Sequence, residues 1–342
     1  MNLVLPSFIF YEVIKNFEAS DWPLLLEILF GCLTVYIIGL IMGALCGLIL
    51  GADKRETKYL CAIFSSPNTT SLPMILIEVF SPLLETIPYD GKETISAKER
   101  GMLYISLTSI ISNVWRWSVA YNLIESPAID KRTALNEALL ESEGKEKPAH
   151  PPKNNMLMNL VNTPLVVSVV TLGICCLKSF KLLLITPGGF LNESLFEVNF
   201  VIARSYNFCM LFLLGLHLAD LGKDKNVDYE IREDVAVVRE KGKKYNFGTY
   251  LFLSVVKLII LPIIGVPVIF MLRRFGFFSD GVLVILLFIF LSAPPANNSI
   301  LITSLKGTKV TETSFILLYT NLGAMLTLTF ENSLYLYLLI NR

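Results

Sequence analysis

The chain has 342 residues, of which 54% are hydrophobic and 17% are charged, and its mean hydropathy is +0.60. A soluble domain of this length carries more charge, so these values favour an integral membrane protein. Basic and acidic residues balance to a net charge of zero, which leaves no overall positive field of the kind that attracts nucleic acid. No nucleic-acid partner is therefore expected.

Long apolar runs recur along the chain. A run of about 20 apolar residues crosses a typical bilayer as a helix, whereas membrane β-strands are shorter and alternate in polarity. The runs are continuous, so they predict an all-α polytopic membrane protein with a partial span near 3–17 and eight full spans. The full spans are expected near 22–51, 57–87, 100–124, 156–180, 199–221, 246–272, 281–305 and 313–340.

Two long polar segments, 125–155 and 222–245, separate some of these spans. The first contains PAHPPK, which is too rich in proline to continue a helix. It is predicted to be a hydrophilic loop between an N-terminal half, 1–124, and a C-terminal half, 156–342. The side that holds both polar segments carries about twice as many Lys and Arg residues as the other side, so it is predicted to be cytosolic.

The sequence carries no pattern of an enzyme or a metal site. GxSxG, HExxH and glycine-rich phosphate loops are absent, and two histidines are too few for a metal cluster. The six cysteines lie in or beside apolar runs without the spacing of a zinc site or of a disulfide framework. We expect no catalytic residue, no metal and no cofactor.

Two predicted spans are interrupted by proline and polar residues, near 65–73 and near 292–299. The first reads FSSPNTTSLPMILI and the second reads LSAPPANNSILITS. Proline removes a backbone donor and clashes with the carbonyl four residues earlier, so each interruption should unwind a helical turn. The prolines expected to do so are Pro67 and Pro73 in the first span, and Pro294 and Pro295 in the second.

Unwound backbone at membrane depth is tolerated only where it is buried in protein or lines a wet cavity. Two such breaks in corresponding positions of two halves are typical of the substrate site of a carrier. The helix that resumes after each break also presents a positive N-terminal end, which suits a carboxylate. The alternative is that these prolines only kink their helices.

The predicted site residues are uncharged polar residues and prolines of the two breaks, together with one asparagine of the span near 100–124. They are Asn68, Thr69, Ser71, Pro73, Asn113, Pro294, Pro295, Asn297 and Asn298. For Asn113 the alternative is an interhelical hydrogen bond. Lys257 lies deep in an apolar run, where it would neutralise an anionic substrate or pair with Glu78 or Glu331; both readings stay open.

Several segments together resemble the auxin efflux carrier family, and within it the PIN-LIKES branch, over most of 20–340. They are PNTTSLPMILI, WRWSVAYNLI, VVKLIILPIIG, and APPANNSILITSLKG followed by ETSFILLYTNLGAMLTLT. The resemblance implies ten spans in two inverted repeats of five, with the fourth and ninth spans broken and crossing near the substrate. It also implies an elevator-like or rocking movement and transport of auxin-like or other small organic acids.

The family's crossover motifs match this sequence at Asn68 and Pro73, and at Pro294, Pro295, Asn297 and Asn298. Where the PIN-LIKES pattern is glycine-rich with a second asparagine, this chain has Pro67, Thr70 and Ser71, which leaves the substrate open. The opening LVLPSFIFYEVIKNF resembles the end of the family's second span. The first span and much of the second are therefore expected to be missing, through truncation or because this carrier is abbreviated.

The sequence thus predicts a carrier that moves small organic anions by alternating access. The resemblance implies the endoplasmic reticulum membrane as its location, with the plasma membrane as the alternative. Its expected partners are a small organic acid and the lipid bilayer, and a homodimer stays open. Potential-driven transport is the default, with proton coupling through Glu78 or Lys257 as the alternative. A receptor, a channel or a scaffold without flux are the competing functions, but a seven-span receptor needs no paired breaks and no filter-like loop marks a channel.

Overall fold

The computed structural model describes residues 4–17, 22–85, 96–125, 163–205, 208, 212 and 245–340. Within these ranges the regular structure is helical, apart from one isolated β-bridge, which confirms the predicted all-α membrane protein. Three of the described helices are long and apolar enough to cross a membrane: Trp22–Ile49, Phe247–Arg274 and Val310–Leu338. Residues 126–155 and 222–244 of the two predicted loops, and most of the span predicted at 199–221, lie outside the described residues.

Five helices form the described N-terminal part of the chain. They are α1 (Val4–Asn16), α2 (Trp22–Ile49), α3 (Lys54–Phe64), α4 (Ser71–Leu84) and α5 (Ala97–Trp115), the last continued by a π-helical turn, Arg116–Ala120. The partial helix predicted near 3–17 and the span predicted near 22–51 are confirmed as α1 and α2. The span predicted near 57–87 is divided into α3 and α4, as the first proline-rich break requires.

The C-terminal part begins with three shorter helices and continues with the longer ones. They are α6 (Thr163–Cys176), α7 (Lys178–Ile185), α8 (Glu197–Arg204), α9 (Phe247–Val255), α10 (Leu261–Arg274), α11 (Gly281–Ser292), α12 (Asn298–Lys306) and α13 (Val310–Ile340). A π-helical turn, Val256–Ile260, joins α9 to α10 without interruption. The second break separates α11 from α12, at the place predicted for it.

Local sequence signals set where several of these helices begin. The Asp53 side chain accepts a hydrogen bond from the backbone N–H of Glu56 at 2.7 Å, and so caps α3. The Ser96 hydroxyl accepts from the N–H of Glu99 at 3.2 Å and caps α5 in the same way. Such caps satisfy N–H groups that have no partner inside the helix.

Glycines allow α2 to pack directly on the backbone of α3. A Cβ atom added to Gly39 would lie 2.5 Å from the carbonyl oxygen of Phe64, and one added to Gly43 would lie 2.6 Å from the Cα of Cys61. Because these glycines are one helical turn apart, they form one stripe along α2. The stripe brings α2 against the end of α3, where the first break begins.

Helix α11 lies at the centre of the bundle, and each of its twelve residues is buried. It packs against α2, α5, α10 and α13. A helix that is hydrophobic all round is stable only when it is enclosed in this way. Its N-terminus is fixed by a buried ion pair, because Arg100 donates to the Asp280 carboxylate at 3.0 Å and the Tyr104 hydroxyl donates to it at 2.6 Å.

The two ends of the bundle each carry polar contacts between distant parts of the chain. At one end Lys309 pairs with Glu56 at 3.3 Å, so the first turn of α3 and the loop after α12 lie together. At the other end the Glu27 carboxylate accepts from the backbone N–H of Ser279 at 3.0 Å. The broken helices therefore run between two polar ends with an apolar interior between them.

The glycine stripe gives a test of this packing. We expect Gly43→Ala to lower the free energy of unfolding by about 1–3 kcal/mol, because the added methyl group meets backbone atoms that have little room to move. The matched control is Gly173→Ala in α6, where nothing lies within 4 Å of the added Cβ atom. Thermal unfolding of the purified variants measures both, and equal stability of the two would contradict the packing.

Candidate functional site

The two breaks lie side by side and their backbones bind each other. The N–H of Asn68 donates to the carbonyl of Pro294 at 2.8 Å, and the N–H of Ala296 donates to the carbonyl of Ser66 at 2.7 Å. This exchange is the only β-bridge among the described residues, and it runs antiparallel. Backbone groups that the breaks remove from their own helices are thus satisfied across the crossing, as burial away from water requires.

The breaks are shorter than the sequence predicted. Pro67 and Pro295 form the centre of the bridge, and residues 65–70 and 293–297 are the segments outside the helices. The prediction that Pro73 helps to unwind the first span is wrong, because Pro73 lies in the first turn of α4. A proline is tolerated there, since the N–H it lacks would have no partner within the helix.

The side chain of Asn68 organises the turn that leads into α4. Its amide nitrogen donates to the Ser71 hydroxyl at 3.0 Å, and its oxygen accepts from the backbone N–H of Thr70 at 3.3 Å. Ser71 also donates back to that oxygen at 3.2 Å. Asparagine forms such local turns readily, so the contacts of Asn68 and Ser71 lie within the break itself.

A polar face of α5 covers the first break. Its buried residues are Ser109, Ser112, Asn113 and Arg116, spaced so that they share one side of the helix. The Thr70 hydroxyl lies 3.1 Å from that of Ser109, and the Thr69 hydroxyl donates to Ser112 at 2.9 Å. The Tyr36 hydroxyl of α2 shares a hydrogen bond with Ser112 at 2.5 Å.

Two buried cations contact the first break from either side, and each lies in a π-helical turn. Arg116 opens the turn at the end of α5 and donates to the Thr69 hydroxyl at 3.1 Å. Lys257 lies in the turn between α9 and α10 and donates to the carbonyl of Phe64, the last residue of α3, at 3.3 Å. Single π-helical turns inside α-helices occur frequently at functional sites.

Lys257 is enclosed without an acidic partner. Only 1% of its surface is exposed, and its ammonium forms no ion pair with a described carboxylate. The suggested pairing with Glu78 or Glu331 does not occur. Glu78 is exposed and pairs with Lys98 at 2.9 Å, while Glu331 lines a groove between α10 and α13. The other reading of Lys257, as the residue that neutralises an anionic substrate, stays a prediction.

Three polar side-chain atoms close to the crossing have no hydrogen-bond partner in the described part of the chain. They are the Ser66 hydroxyl, the Asn113 amide nitrogen and the Asn297 side-chain oxygen. Ser66 and Asn113 are each only 2% exposed. A buried polar atom without a partner is costly, so such groups mark a place where a further molecule can bind. The predicted interhelical hydrogen bond of Asn113 is not formed by this nitrogen.

The structure brings most of the predicted site residues together. Both breaks meet at the crossing. The first break brings Asn68 and Thr69 there, next to Ser71 at the start of α4, and the second brings Pro294, Pro295 and Asn297. Asn298 is the first residue of α12 and is partly exposed. The polar face of α5 beyond Asn113 was missed, although the spacing of Ser109, Ser112 and Arg116 would have revealed it as one face of a helix.

The link from Arg116 to Ser112 through Thr69 can be tested by Thr69→Val. This near-isosteric change removes the Thr69 hydroxyl, which accepts a hydrogen bond from Arg116 and donates one to Ser112. We therefore expect the free energy of unfolding to fall by about 1–3 kcal/mol. The control is Thr34→Val, because the Thr34 hydroxyl is exposed and bonds only to its own helix, at Phe30. Thermal unfolding that ranks the two variants equally would contradict the link.

Comparison with known proteins agrees with this geometry. The sequence model of a family described as membrane transport protein, the auxin efflux carrier family, matches residues 1–331. A stretch of 133 residues is 31% identical to an uncharacterized transporter of Saccharomyces cerevisiae, and it spans 36% of this chain but only 29% of the yeast protein. The chain therefore belongs to the membrane transport protein family that comprises the auxin efflux carriers, and its long apolar helices are those of an integral membrane protein.

Proposed function

We propose that this transporter carries small organic anions, and that the anion binds where the two broken helices cross. The observation that carries the proposal is Lys257, whose buried amino group bonds to the end of α3 beside the first break and has no acidic partner among the described residues. Burying a charge without a partner destabilises the folded state. Removing one partner of a buried ion pair destabilises it for the same reason, because the other charge is left unpaired. A substrate carboxylate would supply the missing partner.

The other groups at the crossing are suited to an organic acid. The Asn113 amide and the Ser66 hydroxyl are buried donors without partners, and hydrogen bonds to a carboxylate are stronger than those between neutral groups. The helices α4 and α12 begin at the two breaks, so their positive ends add to the attraction for an anion. The unpartnered Asn297 oxygen would accept from a substrate N–H or O–H, such as the ring N–H of an auxin-like acid.

The arrangement also supports transport by alternating access. Each broken helix supplies one half to each end of the bundle, and the halves meet at the bridge between Asn68 and Pro294. A site held by two discontinuous helices can be exposed to one side or the other by movement of the bundle that carries it. We extend the proposal to an inverted repeat, with a partial span and three full spans in 1–124 and five spans in 156–342, which the paired breaks support.

A receptor or a scaffold gives no physical reason for a buried lysine without an acidic partner. A channel needs a continuous pore, whereas most residues of the two breaks are buried. We also propose the endoplasmic reticulum membrane as the location, with the end that carries Lys309 and Glu56 facing the cytosol. A fluorescent fusion that labels the plasma membrane instead would correct the location without affecting the site.

Lys257→Met tests the cation directly. In reconstituted vesicles we expect uptake of a radiolabelled aromatic carboxylic acid to fall about 10- to 100-fold, the range for losing a charged hydrogen bond. Stability is expected to change little, because the variant no longer buries a charged side chain but also leaves the Phe64 carbonyl without its donor. The matched control is Lys98→Met, since Lys98 is exposed and pairs with Glu78 outside the crossing.

The methyl ester of the same acid serves as a second control, because it keeps the shape and lacks the charge. Protein-dependent uptake of the ester, after its passive diffusion into protein-free vesicles is subtracted, is expected to be weak in both the wild type and the variant. Wild-type uptake of the acid by the Lys257→Met protein would overturn the proposed site.

Asn113→Leu separates substrate binding from stability. The Asn113 amide nitrogen has no protein partner, so the variant should unfold at the same temperature as the wild type or higher, whereas KM for the acid should rise about tenfold. Asn321→Leu is the control, because the Asn321 amide bonds to the carbonyl of Leu317 on its own helix. An unchanged KM in Asn113→Leu would remove Asn113 from the site.

A further inference from the structure

A second site lies in a groove between α10 and α13, away from the crossing. Its volume is about 530 Å³, and it is open on one side. Its walls are mainly apolar and include Ile259, Pro262, Ile263, Val266, Phe330 and Leu338. Ile263 is 65% exposed and Phe330 is 72% exposed, so the groove opens on a surface that faces lipid in a membrane protein.

Three polar residues form a stripe along the floor of this groove. Thr327, Glu331 and Tyr335 of α13 are spaced four residues apart and therefore lie on one face of the helix. Tyr335 shares a hydrogen bond with the Ser292 hydroxyl at 3.2 Å. By contrast, the Thr327 hydroxyl and one oxygen of Glu331 are buried and have no hydrogen-bond partner within the described chain.

Glu331 also has no cation beside it. No described Lys, Arg or His side chain pairs with its carboxyl group, in contrast to Glu78, Glu99 and Asp280, which all have basic partners. An acidic group inside a membrane span is rare and is found with a partner or in a functional site. Within the described part of the chain the carboxyl group of Glu331 has only the Ser292 hydroxyl as a hydrogen-bonding neighbour and no cationic partner.

The polar groups of the groove are mainly acceptors. It combines the carboxyl group of Glu331 with the hydroxyl groups of Thr327 and Tyr335. An ammonium group has three donors and no acceptor, which complements this set.

The geometry points to a binding site for lipid-soluble amines, in which the protonated amine pairs with Glu331 and the apolar body lies along α10 and α13. Charge complementarity selects an amine over an alcohol or a fatty acid, because the alcohol leaves the carboxylate unpaired and the acid repels it. The groove shares no lining residue with either break, although Ile259 lies in the same π-helical turn as Lys257. It would take a ligand of the opposite charge.

Dodecylamine, dodecan-1-ol and dodecanoate are suitable probes, because they share one chain and differ in the head group. Binding of each to the full chain in nanodiscs is measured by isothermal calorimetry, with empty nanodiscs subtracted. We expect saturable binding of dodecylamine to the wild type at one site, and binding at least about tenfold weaker for the other two. Equal affinity for dodecylamine and dodecan-1-ol would overturn the proposal.

Glu331→Gln should weaken dodecylamine binding by at least about tenfold, and Glu331→Asp should retain most of it. Glu78→Gln is the matched control, because Glu78 is an exposed carboxylate outside the groove. The Glu78→Gln protein should bind dodecylamine with the affinity of the wild type. Wild-type affinity in Glu331→Gln would also overturn the site. If the Glu331→Gln protein fails to fold, the relative affinities of the wild-type protein for dodecylamine, dodecan-1-ol and dodecanoate still test the proposed site.

Lys257→Met distinguishes this proposal from the proposed transport function. Its binding of dodecylamine should match the wild type even though its uptake of organic acid is reduced. Loss of amine binding in Lys257→Met would show that the groove is not an independent site.

Discussion

The backbone groups freed by proline within the membrane are the constraint on which the rest of this structure depends. In lipid such groups have no water to bind, so each break needs a partner inside the protein. The two breaks meet this need together, through the hydrogen bonds from Asn68 to Pro294 and from Ala296 to Ser66. They can do so only if both lie at the same depth and in contact. The glycine stripe on α2 and the burial of α11 secure that position.

The same interruption produces the chemistry of the site. Because α3 ends at Phe64 within the bundle, its last carbonyl needs a donor, and Lys257 provides it at 3.3 Å. That arrangement encloses a cation whose charge no described carboxylate balances. Arg116 and the hydroxyl groups of α5 enclose the other end of the break. A protein selected for stability alone would replace such a buried charge with an apolar side chain. Retaining it is consistent with the anion carrier proposed above.

Local chemistry explains why the sequence predicted the breaks and missed part of their surroundings. Proline acts on its own helix, so Pro67, Pro294 and Pro295 located both interruptions without knowledge of the fold. Pro73 was misjudged because the same residue type is harmless in a first turn, and the start of α4 could not be read in advance. The contact of Lys257 with Phe64 joins residues 193 positions apart and depends on how α9 packs. The position of Arg116 at the first break could have been predicted, because its spacing from Ser109 and Ser112 places the three residues on one face of a helix.

The contact between Lys257 and Phe64 suggests how binding would be coupled to movement. The Lys257 side chain donates a hydrogen bond to the Phe64 carbonyl at the end of α3. A carboxylate bound beside Lys257 would compete with that carbonyl for the same N–H donors. A ligand shifts a conformational equilibrium only by interacting differently with the two states. The end of α3 would fulfil that condition if a bound anion drew Lys257 away, because the Phe64 carbonyl would then need another donor. The interruption that creates the proposed site would thereby also make the helix respond to its occupant.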